Sequence, residues 1–370
     1  MLSRIKRKIK TALYDIYRVI LTLKDYKEIK EISQLSVLSK ETMKNYLAKR
    51  CPICQSEDIH SFVKLPLGAP GDQNHSLLYF DYKKVDMDAL LKRKDILDGT
   101  LGFFLSVPWN FCNKCKNASI GVSFSEEHLL EYYFKYYYRK YGNQPNRRST
   151  KELHGKYLSS FLRETSKVLE IGAAEGFTAE YLAREGHEVF VFEPSGEFKG
   201  KLGRSYNLKC IDNINTGENV FDAIYLHHVL EHIPDPIGYI RTLSVLLKSD
   251  GILFIQVPDL TSQLEILRKS MKGNIFAIFN PPYYFFDNIK YELSKEKSFA
   301  WFDALANDHI SAFTPKGIQY ILNESNIDAI EIIRSTPDRV IFNPAKYAWP
   351  VDEITGNTPN GMTVLARKKL

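Results

Sequence analysis

One short stretch, Val168-Leu169-Glu170-Ile171-Gly172-Ala173-Ala174-Glu175-Gly176, restricts the fold of this chain more than any other. An apolar run fit for a buried strand leads into a turn of glycine and alanine. The pattern then changes to that of a helix near 177–185. Small residues in such a turn let a ligand approach the backbone closely. The spacing is Glu-x-Gly-x-x-x-Gly, not the Gly-x-Gly-x-x-Gly of dinucleotide folds. A helix near 151–163 leads in, and β-rich runs follow at 188–192, 208–211, 221–226 and 251–257. Thr314-Pro315 opens another helix through about 324, and final strand candidates lie at 328–334 and 362–367. Strands alternating with helices predict an α/β fold with a parallel, doubly wound sheet.

Cysteine spacing defines a second unit. Cys51-Pro-Ile-Cys54 and Cys112-Asn-Lys-Cys115 are two Cys-x-x-Cys knuckles separated by 57 residues. Four thiolates match tetrahedral Zn2+, and a site closed by four cysteines has no open position, so the expected role is structural. The long gap implies an insertion projecting from the pair. Cys210 stands alone at a strand end and reads as a small buried residue.

Charge is distributed unevenly. The formal net charge is +6, and residues 1–30, with nine Lys/Arg and three Asp/Glu, account for all of it. The balanced remainder disfavours a nucleic-acid tracking surface. Leu2, Ile5, Ile9, Leu13, Ile16, Ile20 and Leu23 mark one face of a basic helix. Its two readings are a helix on anionic lipid and a helix packed on protein. Charges interrupt every apolar stretch, so neither a membrane span nor a signal peptide is predicted. The expected location is cytoplasmic, with the inner face of the membrane as the alternative.

The second strand ends at Glu193, where an acid can accept both hydroxyls of a ribose, and the third ends at Asp212. Phe221-Asp222-Ala223-Ile224 enters the fourth, followed by His228-Val229-Leu230-Glu231-His232-Ile233-Pro234-Asp235-Pro236 and Gly251-Ile252-Leu253-Phe254-Ile255. This series resembles the class I S-adenosylmethionine-dependent methyltransferases, strongly over 155–260 and weakly over 310–370. The resemblance implies a Rossmann-like, seven-stranded methyltransferase sheet. It assigns Gly172, Ala173 and Gly176 to the methionine portion of the cofactor and Glu170 to orienting their turn. Glu193 falls to the ribose and Asp212 to the adenine amine. His227 and His228 lie where cofactor and acceptor meet. Ala174 departs from the family, which has glycine there.

The knuckles, with Pro66-Leu67-Gly68-Ala69-Pro70 between them and the tyrosine-rich run 132–138 after, resemble the zinc-bearing N-terminal domain of sugar methyltransferases. Asp308-His309 resembles their Glu-His pair, with Asp in place of Glu. The resemblance implies His309 as base and Asp308 as its orienting carboxylate; if the base lies elsewhere, His228 or a tyrosine of the 132–138 run is the catalytic candidate. A histidine suits that work because its unperturbed pKa lies near neutrality. Glu231-His232, before Pro234, reads as fixing a loop. Asn280-Pro281-Pro282-Tyr283 matches an amine-gripping motif but stands beyond the fifth strand, out of its context.

The expected domains are a basic helical segment at 1–50, a zinc-binding module with aromatic linker at 51–150, and a methyltransferase domain at 151–370. An aromatic-rich insertion at about 259–310, after the fifth strand, would cover the acceptor. The expected reaction is methyl transfer from S-adenosylmethionine to a sugar or nucleotide sugar, O-methylation first and C-methylation second. An RNA base methyltransferase and a non-catalytic glycan-assembly scaffold binding through residues 1–50 are the rivals. The balanced charge counts against the first and the intact cofactor motif against the second.

Overall fold

The computed structural model describes residues 48–66, 106–121, 148–195, 198–202, 208–214, 217–262, 309–335, 340–341, 351–352, 354–355 and 361–369. The N-terminal helix, the tyrosine run 132–138, Asp308, the aromatics of the insertion and Asn280-Pro281-Pro282-Tyr283 lie outside the described residues.

Among the described residues the larger sheet holds seven strands: β4 (Lys167–Ile171), β5 (Glu188–Phe192), β6 (Lys209–Ile211), β7 (Phe221–His227), β8 (Leu247–Pro258), β10 (Ile327–Arg334) and β13 (Gly361–Lys368), while β11 (Val340–Ile341) and β12 (Val351–Asp352) pair separately. Their order is β10-β13-β8-β7-β4-β5-β6. β4 pairs in parallel with β5 and β7, as do β5 with β6 and β7 with β8. β13 lies antiparallel between β8 and β10. The order reverses between β4 and β7, where the loops following these two strands diverge and leave a crevice for a ligand.

Among the described residues four α-helices flank the strands: α1 (Arg148–Ser159), α2 (Phe177–Arg184), α3 (Pro236–Leu246) and α4 (Pro315–Glu324). Both faces of the sheet are buried, which explains the near-continuous apolar runs in β4, β7 and β8. Leu169, Ile224 and Leu253 pack with Ile240 and Leu243 of α3 and Ile321 of α4. Val168, Ala223 and Phe254 face the other way, onto Leu158 of α1 and Leu182 of α2. Neighbours in sequence thus serve opposite cores, as the two-residue strand period requires. α3 begins at an Asp-Pro step: Asp235 accepts from Gly238 N at 2.9 Å, and Pro236 takes the first turn, where no N–H is needed. Thr314-Pro315 opens α4 in the same manner, with Gly317 N donating to Thr314 Oγ1 at 2.9 Å.

A second, antiparallel sheet carries the cysteines. Its order is β1 (Ile59–Pro66), β2 (Ser106–Cys112), β3 (Ala118–Ile120), β9 (Ser311–Ala312). β9 comes from the C-terminal half of the chain and pairs with β3 through Ala118↔Ala312 and Ser119↔Ser311. On its far side, Asp259 at the end of β8 bridges Phe313, and Leu260 N donates to Phe313 O at 2.9 Å. Residues 309–313 are therefore held between the cysteine module and the end of the large sheet. Among the described residues no helix is long and apolar enough to cross a membrane.

Candidate active site and metal centre

The turn after β4 is built of left-handed backbone. Gly172, Ala174 and Gly176 have φ of 69°, 48° and 74°. A Cβ added at Gly172 would stand 2.7 Å from Val229 Cγ2, and one at Gly176 2.0 Å from Leu202 Cδ2. Glycine is therefore demanded at both positions by conformation and by space. Ala174 adopts the same region with a methyl group, and its N–H donates to Glu193 Oε2 at 2.9 Å. Ser195 N donates to Glu193 Oε1 at 2.8 Å. Glu193, at the end of β5, thus shapes the turn through both carboxylate oxygens. Gly172 N donates to Phe192 O at 2.9 Å, which closes the turn onto β5.

Glu170 lies beneath this turn, 2% exposed. Burial pushes its carboxyl up to about 8, against the opposing pull of Lys151. Oε2 has no hydrogen-bond partner. A buried acid with a raised pKa under a small-residue turn is a mark of a ligand site. Asp212, at the other end of the crevice, is exposed and pairs with Lys199.

His227 ends β7, and His228 follows in the left-handed region at φ 52°. His228 N donates to Gln256 O at 2.9 Å, which fixes this conformation. His227 Nδ1 lies 2.6 Å from Lys151 Nζ, and its ring is 4.3 Å from that of His154. Below them Tyr225 Oη donates to Gln256 Oε1 at 2.9 Å and stands 3.0 Å from His154 Nδ1. Gln256 Nε2 donates to Thr363 Oγ1 at 3.2 Å, so a satisfied polar chain spans the strands behind the histidines.

The residue that organises the acceptor side is Glu231, on a single 3-10 turn, Leu230–His232. Its side chain is 1% exposed, with Oε1 2.9 Å from His228 Nδ1 and 3.9 Å from His309 Nε2. The His228 contact is close but off the hydrogen-bond line, and neither carboxylate oxygen accepts an aligned hydrogen bond. Burial would raise this acid; His228, His232 and His309 outweigh it and hold the carboxyl at about 2. The His232 and His309 rings meet edge to face at 4.8 Å. His309 is buried immediately before β9, and Ile310 N donates to Glu231 O at 3.0 Å. Among the described residues Glu231 is the carboxylate at this histidine, and Asp308 lies outside them. Sequence reading gave Glu231 only a loop-fixing role. The signal available was its place between His228 and His232 on a turn too short to present anything else.

At the cysteine module, Sγ atoms of Cys51 and Cys115 are 3.7 Å apart and those of Cys54 and Cys112 3.5 Å. All four sulfurs lie within 4.8 Å of one another. Zn–S bonds of about 2.3 Å in a tetrahedron require sulfur pairs roughly 3.8 Å apart, so the donor set fits the ion. Gln55 N donates to Cys51 O and Lys116 N to Cys112 O. Gln55 and Lys116, each following the second cysteine of its knuckle, both have positive φ, at 59° and 61°. The two knuckles are thus built alike. Burial pushes the Cys54 thiol up to about 11, while a hydrogen bond from Cys115 holds Cys51 down to about 6. Such crowding of sulfurs favours a shared cation.

The chain is similar to several known methyltransferases. A ubiquinone biosynthesis O-methyltransferase of Methylocella silvestris is 27% identical over 195 residues, covering 50% of this chain and 65% of that protein. Its Vibrio campbellii counterpart is 28% identical over 123 residues, 30% of this chain and 48% of that protein. The chain thus spans less than two thirds of the length of these relatives. Among solved structures, a Burkholderia thailandensis 1,6-didemethyltoxoflavin-N1-methyltransferase with bound S-adenosylhomocysteine is 15% identical at a TM-score of 0.41, covering 69% of this chain and 96% of that one. A SAM-dependent methyltransferase from Aquifex aeolicus is 16% identical at 0.37, covering 66% and 98%. Residues 138–332, more than half of the sequence, match the family described as methyltransferase domain, and the chain belongs to that family.

Proposed function

We propose that the protein is a class I methyltransferase that moves a methyl group from S-adenosylmethionine to a hydroxyl of a sugar or nucleotide sugar. Gly172, Ala173 and Gly176 would hold the methionine portion, Glu193 the ribose and Asp212 the adenine end. His227 would stand beside them at the mouth. When bound, this cofactor supplies a methyl already activated by its sulfonium charge. The chain's own task is to orient the acceptor and take its proton.

The observation that carries the reading is the contact of His228 Nδ1 with the buried Glu231 at 2.9 Å. With Nδ1 lying 2.9 Å from a buried carboxylate oxygen, the proton of an acceptor hydroxyl would be received at Nε2. The left-handed conformation of His228, at the end of a central strand, is the kind of strain that clusters at functional sites. His309 is more buried and supports the same carboxylate, so we place the first proton transfer at His228. O-methylation is supported by the Methylocella silvestris and Vibrio campbellii relatives, which are named as O-methyltransferases. The sugar rests on the likeness of the cysteine knuckles and the Asp308-His309 segment to zinc-bearing sugar methyltransferases. Four-cysteine Zn2+ in that module would be structural, holding residues 309–313 through β3 and β9.

Methyl transfer from labelled S-adenosylmethionine to a panel of nucleotide sugars tests this, with ubiquinone-pathway phenols as the competing class. NMR of the product separates O- from C-methylation. Turnover of phenols alone would remove the sugar assignment.

A further inference from the structure

We infer that Glu231, His232 and His309 form a second metal site, for a divalent first-row transition ion, separate from the four cysteines. One ligand atom from each of the three residues lies within 4.8 Å of the others. Glu231 and His232 come from the turn after β7, and His309 from the segment hung on β3 and the end of β8. The backbone bond from Ile310 N to Glu231 O at 3.0 Å clamps these two segments together. The donors therefore converge from distant parts of the chain on two rigid supports.

A second, independent observation comes from Glu231 itself. Its side chain is 99% buried, and both oxygens lack an aligned hydrogen bond. Buried carboxylates are ordinarily satisfied by donors or by a cation. Here the side chains around it are imidazoles, which are metal ligands when neutral.

The donor set selects the ion. Two imidazoles and one carboxylate suit Zn2+, Co2+, Mn2+ or Fe2+, whereas Mg2+ and Ca2+ favour oxygen cages. Metal–ligand bonds of about 2.0–2.1 Å put neighbouring donors roughly 3.3 Å apart in a tetrahedron. From the 3.9 Å between His309 Nε2 and Glu231 Oε1, the closure needed along that pair is small. His228, 2.9 Å from the same oxygen, then orients the ligating carboxylate from outside. Three protein ligands leave a coordination position open, as catalytic sites do and four-cysteine sites do not. On the acceptor assignment proposed above, an ion held there would supply polarisation of an acceptor hydroxyl.

The test uses the full chain with its cysteine site loaded with zinc, titrated with Co2+ and followed by visible absorption and elemental analysis. The expected result is one further equivalent of metal with weak d–d bands and no thiolate charge-transfer band. His309→Gln and Glu231→Gln should each weaken that equivalent at least tenfold while retaining the cysteine-bound zinc. Absence of a further equivalent, or one that survives both substitutions unchanged, would overturn the site. Calorimetry of S-adenosylhomocysteine on the same preparations reports cofactor binding separately. Normal cofactor binding without cobalt uptake therefore sinks the metal site and leaves the methyltransferase reading standing.

Discussion

Asn117 and Gly317, two hundred positions apart, are locked together: a Cβ at Gly317 would fall 1.6 Å from Asn117 Oδ1. The same oxygen accepts Thr314 N at 3.2 Å, and Thr314 Oγ1 donates to Lys116 O at 2.7 Å. The second cysteine knuckle is therefore seated on the first turn of α4. Gly317→Ala should cost about 1–3 kcal/mol, the usual range for overpacking a filled site. Thermal melts of the single mutants and of Gly317→Ala/Asn117→Ala check this. The double mutant should be less destabilised than the sum of the singles, because the overlap is removed with Asn117.

The cysteine module should matter to catalysis without touching the cofactor. Replacing Cys112 by Ser should lose the bound zinc and loosen β3, and with it the partner strand β9 next to His309. Turnover should fall at least tenfold. Affinity for S-adenosylhomocysteine should hold within threefold, since the turn at 170–176 follows β4 of the large sheet, whereas the cysteines belong to the antiparallel sheet. Parallel metal analysis and calorimetry would show whether the two losses separate.

Glu170 gives a pH-dependent prediction. Its carboxyl is raised to about 8 in the folded chain and returns to about 4.5 on unfolding. The native state then binds the extra proton, so stability is full below pH 4.5, falls between 4.5 and 8 and stays low above. Glu170→Gln removes this dependence. The variant should gain in melting temperature over wild type as pH rises from 5 to 8, with little difference near 5. A constant difference across that range would place the titration elsewhere.

His228 should be replaceable for folding and not for chemistry. Asn tolerates the left-handed region that His228 occupies at φ 52°. His228→Asn should therefore stay within about 1 kcal/mol of wild type in stability while turnover drops roughly 10²–10⁴-fold, the range for loss of a general base.

Much of the large sheet was legible because its signals are local. β4 and β5 are bounded by Gly172 and Gly186, and β7 and β8 carry the apolar runs Ala223–Leu226 and Ile252–Ile255 that a doubly buried sheet needs. The sequence expectation began the last of these at 251, whereas β8 starts at Leu247, paired with Phe221 ahead of a bulge that no pattern marks. β9 is two residues long and has no periodicity to read; it exists because β3 offers it an edge. Likewise Glu231 and His309 are 78 positions apart, so their meeting depends on how the cysteine module docks. Local sequence carries the cofactor turn, while the acceptor side is a product of tertiary contact.

The central claim is that the turn at 170–176 and the acid at the end of β5 bind S-adenosylmethionine. Calorimetric titration of S-adenosylhomocysteine into wild type and Glu193→Ala tests it most directly. The account predicts one site per chain in wild type. It also predicts at least tenfold weaker binding in the variant, the equivalent of about 1.5–3 kcal/mol for hydrogen bonds to a charged group. No heat of binding in folded wild-type protein, or an affinity indifferent to Glu193, would contradict it.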